Sequence, residues 1–274
     1  MIGRTNKLPF NPIIWPAVPY DKTGDNVLGY YTTETTQRHV WGRRGMTWDG
    51  KVFKYGRSKD TLYAGYGALN GASVDISDML NTNHTLTIAV GDREVLFTVT
   101  STETYNEGGL TEDELVGAQY IVGHGSSTTT EQRTVIGNTS IAAATTGTII
   151  IEVDAPFAIQ HTTGFNELPL NPYGYLLKPA NTIGSIMGIP AITATTGQNL
   201  WIQTWGLCWC SPGGGDATPG DAYTDRMAYF VGDGSINGGG AATIEGGLQF
   251  AGFITDSTES GTGTMPMVML QISI

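Results

Sequence analysis

Residues 84–100 run His84-Thr85-Leu86-Thr87-Ile88-Ala89-Val90-Gly91-Asp92-Arg93-Glu94-Val95-Leu96-Phe97-Thr98-Val99-Thr100. β-Branched and aromatic residues flank a short Gly-Asp break, which predicts two strands, 84–90 and 94–100, joined like a hairpin through Val90 to Glu94. The same texture continues in both directions. Further strands are predicted over 27–32, 52–55, 119–122, 133–136, 148–153, 173–178, 189–192, 200–209, 228–231, 248–254 and 268–272, between clusters of Gly, Asn, Asp and Thr. Only two short helices suggest themselves, 74–80 and 111–115, the second opened by Thr111 as N-cap with Glu114 three residues on.

Composition agrees with strands and turns. Of 274 residues only 14% are charged and 38 are glycine, far from the roughly 25% charge of an average soluble domain. The expected architecture is all-β, with two β-sandwich or barrel-like modules and an extended N-terminal arm. Residues 1–60 hold the arm and the first strands, 61–163 a middle β module, and 164–274 a C-terminal barrel-like module. Ala-Thr-Thr-Gly at 144–147 and again at 194–197 reads as repeated turn chemistry. The glycine-rich stretches 211–220 and 232–247 are too long for tight hairpins.

Charge is unevenly placed. The net charge is −11, yet residues 1–60 carry ten basic against five acidic residues, leaving four against twenty in the rest. A basic start on an acidic body steers docking onto an acidic protein surface and argues against general nucleic-acid binding, which needs a cationic surplus. Within 1–60, Pro9, Pro12, Pro16 and Pro19 punctuate Phe10, Ile13, Ile14 and Trp15. That spacing forbids a helix or a sheet interior and leaves apolar groups in need of cover. Further on, Arg43, Arg44, Lys51, Lys54 and Arg57 interleave with Trp41, Trp48, Phe53 and Tyr55, residue types that anchor protein interfaces. Ile13, Ile14, Trp15, Arg43, Arg44, Lys51, Lys54 and Arg57 are therefore the candidate partner-binding residues.

Catalytic and cofactor chemistry finds little purchase. Gly123-His124-Gly125-Ser126-Ser127 lacks the strand-to-helix elbow of a nucleophilic serine. Asp216, Asp221, Asp225 and Asp233 do not match a calcium-loop spacing. Cys208 and Cys210, two apart in a strand, share a face without disulfide geometry and are expected as free thiols. No enzyme, metal or cofactor is expected. The start of the chain has no apolar signal-like core, and no run approaches the ~18 apolar residues of a membrane span. Trp201, Trp205 and Trp209, at four-residue spacing in one strand, are expected on a single face.

From Gly45-Met46-Thr47-Trp48-Asp49-Gly50-Lys51-Val52-Phe53-Lys54-Tyr55 through Ala68-Leu69-Asn70-Gly71, the sequence resembles a family of tailed-phage virion structural proteins. The likeness continues through Gly117-Ala118-Gln119-Tyr120-Ile121-Val122, residues 148–155, Asn171-Pro172-Tyr173-Gly174, Gly188-Ile189-Pro190, Trp201 to Gly206, Ala251-Gly252-Phe253-Ile254 and 266–272. It departs from the pattern at Leu207 and Trp209. The resemblance implies a capsid decoration or cement protein on the virion surface, made in the host cytoplasm. The implied partners are the major capsid protein and copies of itself, as a homotrimer, without catalytic residues. The alternative is a head-fibre or tail-associated module that binds host-surface carbohydrate through exposed tryptophans.

Overall fold

The computed structural model of the chain describes residues 29–47, 49–71, 79–84, 87–99, 110–123, 130–142, 145–162, 164–180, 184–213, 226–238, 248–256 and 266–273. The fold is all-β, 50% strand and 1% helix, in two curled antiparallel sheets that each form a half-barrel. In chain order, β1 (Arg44–Met46), β2 (Val52–Arg57) and β3 (Ala68–Asn70) open the larger sheet. The smaller sheet follows: β4 (Met79–His84), β5 (Glu94–Val99), β6 (Gln119–Gly123), β7 (Thr130–Asn138), β8 (Gly147–Val153) and β9 (Gly164–Leu168). Then β10 (Leu176–Leu177), β11 (Ile186–Pro190), β12 (Asn199–Trp209), β13 (Met227–Phe230), β14 (Ile236–Gly238), β15 (Phe250–Asp256) and β16 (Met267–Gln271) complete the larger one. The larger sheet runs β10-β3-β11-β12-β16-β15-β13-β14, with β2 also on β12 and β1 on β2; the smaller runs β4-β9-β6-β7-β8-β5. β3 and β10 lie side by side, Asn70 opposite Leu176 and Leu69 opposite Leu177.

Of the two strands expected over 84–100, only the second forms among the described residues, as β5. β4 ends at His84. Ile88 makes only an isolated bridge to His161, through bonds of 2.8 and 3.0 Å. Gly91 takes φ +96°, and Asp92 caps the turn by accepting the Ala89 N–H at 2.7 Å. The arms of this turn do not pair, because residues 157–161 lie alongside it: Gly91 N–H donates to Phe157 O and Phe157 N–H to Asp92 O. β5 pairs with β8 instead, from Glu94 opposite Glu152 to Val99 opposite Gly147. The period-2 pattern then does what a half-buried strand requires: Ile149, Ile151 and Val153 point into the core while Thr148, Ile150 and Glu152 stand outside. Phe97, Tyr120 and Phe157 fill that core, and the Tyr120 hydroxyl accepts from Asn166 Nδ2 at 3.1 Å. Burying side chains of this size contributes about 1.5–3 kcal/mol each.

Neither expected helix forms among the described residues. Met79 and Leu80 belong to β4, and 72–78 lie outside the described residues. At 111–115 the capping interaction is present without its helix: Thr111 N–H and Oγ1 both donate to Glu114 Oε2, at 2.9 and 3.0 Å. The chain turns because Asp113 sits at φ +61° and Gly117 at φ +87°, while the Asn138 side chain takes the Leu115 N–H at 2.7 Å. Of the predicted strand 27–32, residues 29–32 form a turn closed by Thr32 N–H to Gly29 O at 3.1 Å.

The tryptophan stripe is also corrected. In β12, Gln203 faces Phe53 and Trp205 faces Val52, so Thr204 is an extra residue and the alternation reverses there. Trp201 is buried on the inner face among Tyr30, Phe53 and Tyr55, whereas Trp205 and Trp209 stand half-buried on the opposite, outer face. Past the bulge Cys208 and Cys210 return to the inner core, as free thiols beside Val268 and Leu270. Tyr30 and Trp201 close over Gly45, where a Cβ would come within 2.9 Å of the tyrosine hydroxyl. On the outer face at the start of β12, Leu200 and Ile202 are covered by Leu62, Leu176 and Ala194.

Candidate interaction surface

β1 and β2 form a hairpin that lifts the basic cluster to the edge of the larger sheet. Arg44 and Lys54 are directly opposed across it, as are Gly45 and Phe53. Phe53 and Tyr55 turn inward, so Lys54 and its partner Arg44 project from the outer face. Both are half-buried. Burial, followed by the charge of Arg44, holds the Lys54 ammonium below its ordinary value, and burial does the same for Arg44. The two cations thus stand side by side on the outer face of the hairpin.

Arg43, Lys51 and Arg57 contact groups around the hairpin and beyond it. Arg43 Nη1 donates to His39 Nδ1 at 2.9 Å. Burial, and then Arg43 itself, lowers the His39 pKa, which suits a neutral ring accepting that bond. Lys51, at the tip, lies 3.5 Å from Asp49 Oδ2. The Thr47 hydroxyl hydrogen bond, ahead of Lys51, holds the Asp49 carboxyl below the usual range. Arg57 points away from the tip and reaches the smaller sheet, its Nη1 3.2 Å from Glu114 Oε1 and its guanidinium 5.9 Å above the Trp41 ring. Tyr175 donates to the same Glu114 oxygen at 3.4 Å, and Asn171 Nδ2 donates to Trp41 O at 2.8 Å. Arg57, Trp41 and Glu114, with Val40 and Ile136, line an open groove of about 460 Å³ between the sheets.

The structure thus brings Arg44 and Lys54 together and places Arg43 and Lys51 near them. It commits Arg57 to the joint between the sheets. The arm residues Ile13, Ile14 and Trp15, and also Trp48, lie outside the described residues. The aromatic half of the expected anchor is corrected: Trp41, Phe53 and Tyr55 are core residues, each 4% exposed or less, Phe53 and Tyr55 because the period-2 alternation of β2 sends them inward and Trp41 because it packs into the same cluster. Arg57→Ala should cost about 1 kcal/mol or less, since its side chain is 39% exposed and water screens the pair. Urea denaturation checks this; a loss of several kcal/mol would mean that the joint depends on that one contact.

A second polar cluster carries no sequence signal beyond the residues themselves. Glu131, buried on β7, accepts from Arg133 Nη2 at 2.7 Å, His161 Nε2 at 3.0 Å, Ala158 N–H at 3.0 Å and Ile159 N–H at 3.3 Å. Arg133 also donates to Ala155 O and Pro156 O and lies 5.3 Å over Phe157. With four donors on its carboxylate, Glu131 has no lone pair left over for a substrate proton; its work is to pin residues 155–161 to the sheet. Asp233 caps Ser235, while Asp216, Asp221 and Asp225, like 124–127, lie outside the described residues. Among the described residues no three His, Cys, Asp or Glu side chains are grouped to hold a metal ion, and no helix is long and apolar enough to cross a membrane.

Comparison with protein-family models, with curated proteins and with solved structures returns no match.

Proposed function

We propose that this chain is a non-enzymatic virion structural protein that decorates or cements the outer surface of a tailed-phage capsid. In this reading it binds the lattice of the major capsid protein and neighbouring copies of itself, as a trimer about a local threefold axis. The observation that carries the reading is the opposed, half-buried Arg44–Lys54 pair on an edge hairpin, set on a body that is otherwise acidic. Basic side chains on an edge hairpin suit an acidic docking partner through complementary charge. A sparsely charged double half-barrel suits a part that must stay folded on a particle surface, and the resemblance of the sequence to phage virion proteins points the same way.

The test uses shells of the corresponding phage assembled without this protein. The wild-type chain is expected to sediment with them. The Arg44→Glu, Lys54→Glu double variant should bind at least roughly tenfold more weakly, about 1.4 kcal/mol or more, and wild-type binding should weaken with salt. Because both side chains leave the inner face untouched, melting of the variant should stay close to wild type. A wild-type chain that ignores shells and labels tails instead would sink the proposal.

A second reading, a head-fibre or tail-associated module for host-surface carbohydrate, retains one supporting observation. Trp205 and Trp209 are half-buried on the outer face, although Trp209 is packed on Gly65. A change in tryptophan fluorescence on adding bacterial surface glycan would favour it.

A further inference from the structure

Across β12, β16, β15 and β13 the outer face of the larger sheet carries one continuous apolar row. Leu207 stands opposite Met269, Met269 opposite Phe253, and Phe253 opposite Met227. Leu207, Phe253 and Met227 are 40%, 44% and 49% exposed. Phe250 and Tyr229 extend the row, with ring centroids 5.4 Å from Phe253 to Phe250 and 5.7 Å from Phe250 to Tyr229. The neighbouring outer positions on β12 and β16, Trp205, Trp209, Met267 and Gln271, are uncharged as well. The inner faces of the same strands are core. These strands are therefore apolar on both sides, whereas an antiparallel sheet that meets water on one side alternates with polar residues.

Size and charge decide what covers the row. Side chains of this kind expose on the order of 200 Å² each when free, so the row offers roughly 400 Å² on one copy and a pair of copies would bury roughly 800 Å². Contiguous exposed apolar patches of a few hundred Å² mark interaction surfaces. A buried total below ~1,200 Å² belongs to weak, reversible contacts rather than to permanent dimers. An ordinary protein surface, about a quarter charged, would bring ionic groups onto the row and strip their water without pairing them. The rest of this chain matches the row no better. Beyond residue 60 it carries four basic against twenty acidic residues, so two copies meeting elsewhere on that body set like charges against each other. A row that meets the same row of a second copy avoids both costs, since neither side brings a charge to the contact.

We propose that the Leu207–Met269–Phe253–Met227 row is a self-association face, through which two copies of this chain meet about a twofold axis. A patch that contacts itself is isologous: the residue that touches a second is touched by it in return. With the axis between the two central residues, Met269 of each copy lies on Phe253 of the other, a thioether–aromatic contact made twice. The two sheets then pack face to face at ~10 Å. The contact is weak in dilute solution and is filled where copies are crowded, because neighbours held together reach effective concentrations on the order of millimolar. This goes beyond the decoration reading: a twofold contact cannot close a ring of three, so in that reading it joins a copy in one trimer to a copy in the next.

The test is sedimentation of the full-length chain from micromolar to millimolar protein, with no particle present. The weight-average mass is expected to rise at least about twofold over that range. The Phe253→Lys, Met269→Lys double variant should keep its micromolar mass throughout. Leu96→Lys, on the exposed face of the smaller sheet, should rise as the wild type does. A wild-type mass that stays constant, or a rise that the double variant retains, would overturn the proposal. A second readout needs no charged substitution: chains carrying Phe253→Cys and chains carrying Met269→Cys are mixed at millimolar protein and oxidised, the native thiols being buried. The mixed disulfide should form several-fold more than the like-with-like disulfide of either chain, and the absence of that preference would overturn the twofold arrangement. Flotation of the wild type with phosphatidylcholine vesicles, lost in the double variant, would give the row to a lipid surface and count against the proposal as well. None of these readouts involves a shell, so failure here and failure of shell binding are separable.

Discussion

Replacing Gly252 by alanine should cost on the order of 4 kcal/mol, enough to lower the melting temperature by about 10 °C. Gly252 sits at φ +153°, and a Cβ built there would lie 2.1 Å from the carbonyl oxygen of Met269 and 2.9 Å from its carbon. The obstacle is backbone of β16, which is held on its other side by β12, so it cannot step aside as a flexible side chain can. Gly50→Ala is the matched control. Gly50 also has positive φ, +84°, but nothing lies within 4 Å of its Cβ, so only the backbone term of about 1 kcal/mol remains. Urea midpoints for the two variants separate collision from conformational strain. Equal losses would show that β15 slides freely past β16.

Removal of the Glu131 side chain should be comparably damaging, about 3–5 kcal/mol. Glu131→Ala leaves the donors of Arg133 and His161 and the N–H groups of Ala158 and Ile159 facing a buried gap, and unmet buried donors are costly. The pH dependence follows from the same contacts. Burial alone would raise the Glu131 carboxyl, but the bonds from His161, Ala158, Ile159 and Arg133 outweigh it and the net shift is downward from 4.5. A lowered carboxylate contributes stability that is complete above its ordinary value and is lost as pH falls through the folded one. The wild type should therefore lose stability below about pH 4.5 that a Glu131→Gln variant, less stable at neutral pH, has already lost. Stability measured against pH for both proteins checks this; parallel curves would mean that the carboxylate charge contributes nothing.

Sequence patterning carried the strand content well, because period-2 alternation reports burial on one face. It carried pairing poorly, because pairing depends on contacts far along the chain. The turn at Gly91 looked like a hairpin and is one only locally: the partner of β5 is β8, and β4 pairs with β9. Short strands such as β1, β3 and β14 have too few residues to show a period. One inserted residue, Thr204, was enough to send Trp205 to the face opposite Trp201. At the candidate surface the excess of cations near Arg44 was legible as charge, whereas the turning of Arg57 toward Glu114 was not, since Glu114 lies far along the chain, in the turn before β6. The outer apolar row was hidden for the same reason: Leu207, Met227, Phe253 and Met269 become neighbours only when three registers are known.

The adjacency of β3 and β10 has a bearing on how such a chain is assembled over generations. Taken alone, the two strands are a hairpin, and the smaller half-barrel is what fills its loop, with Gly71 N–H on Tyr175 O at 2.7 Å closing the neck. A stretch that departs and returns at one point can be gained, lost or traded without rerouting its host, since closing a longer loop adds only about 0.6 kcal/mol per doubling of length. The larger half-barrel is then the chassis and the smaller one a cassette. Arg57, Glu114 and Asn171 form the seam that an exchanged cassette has to match.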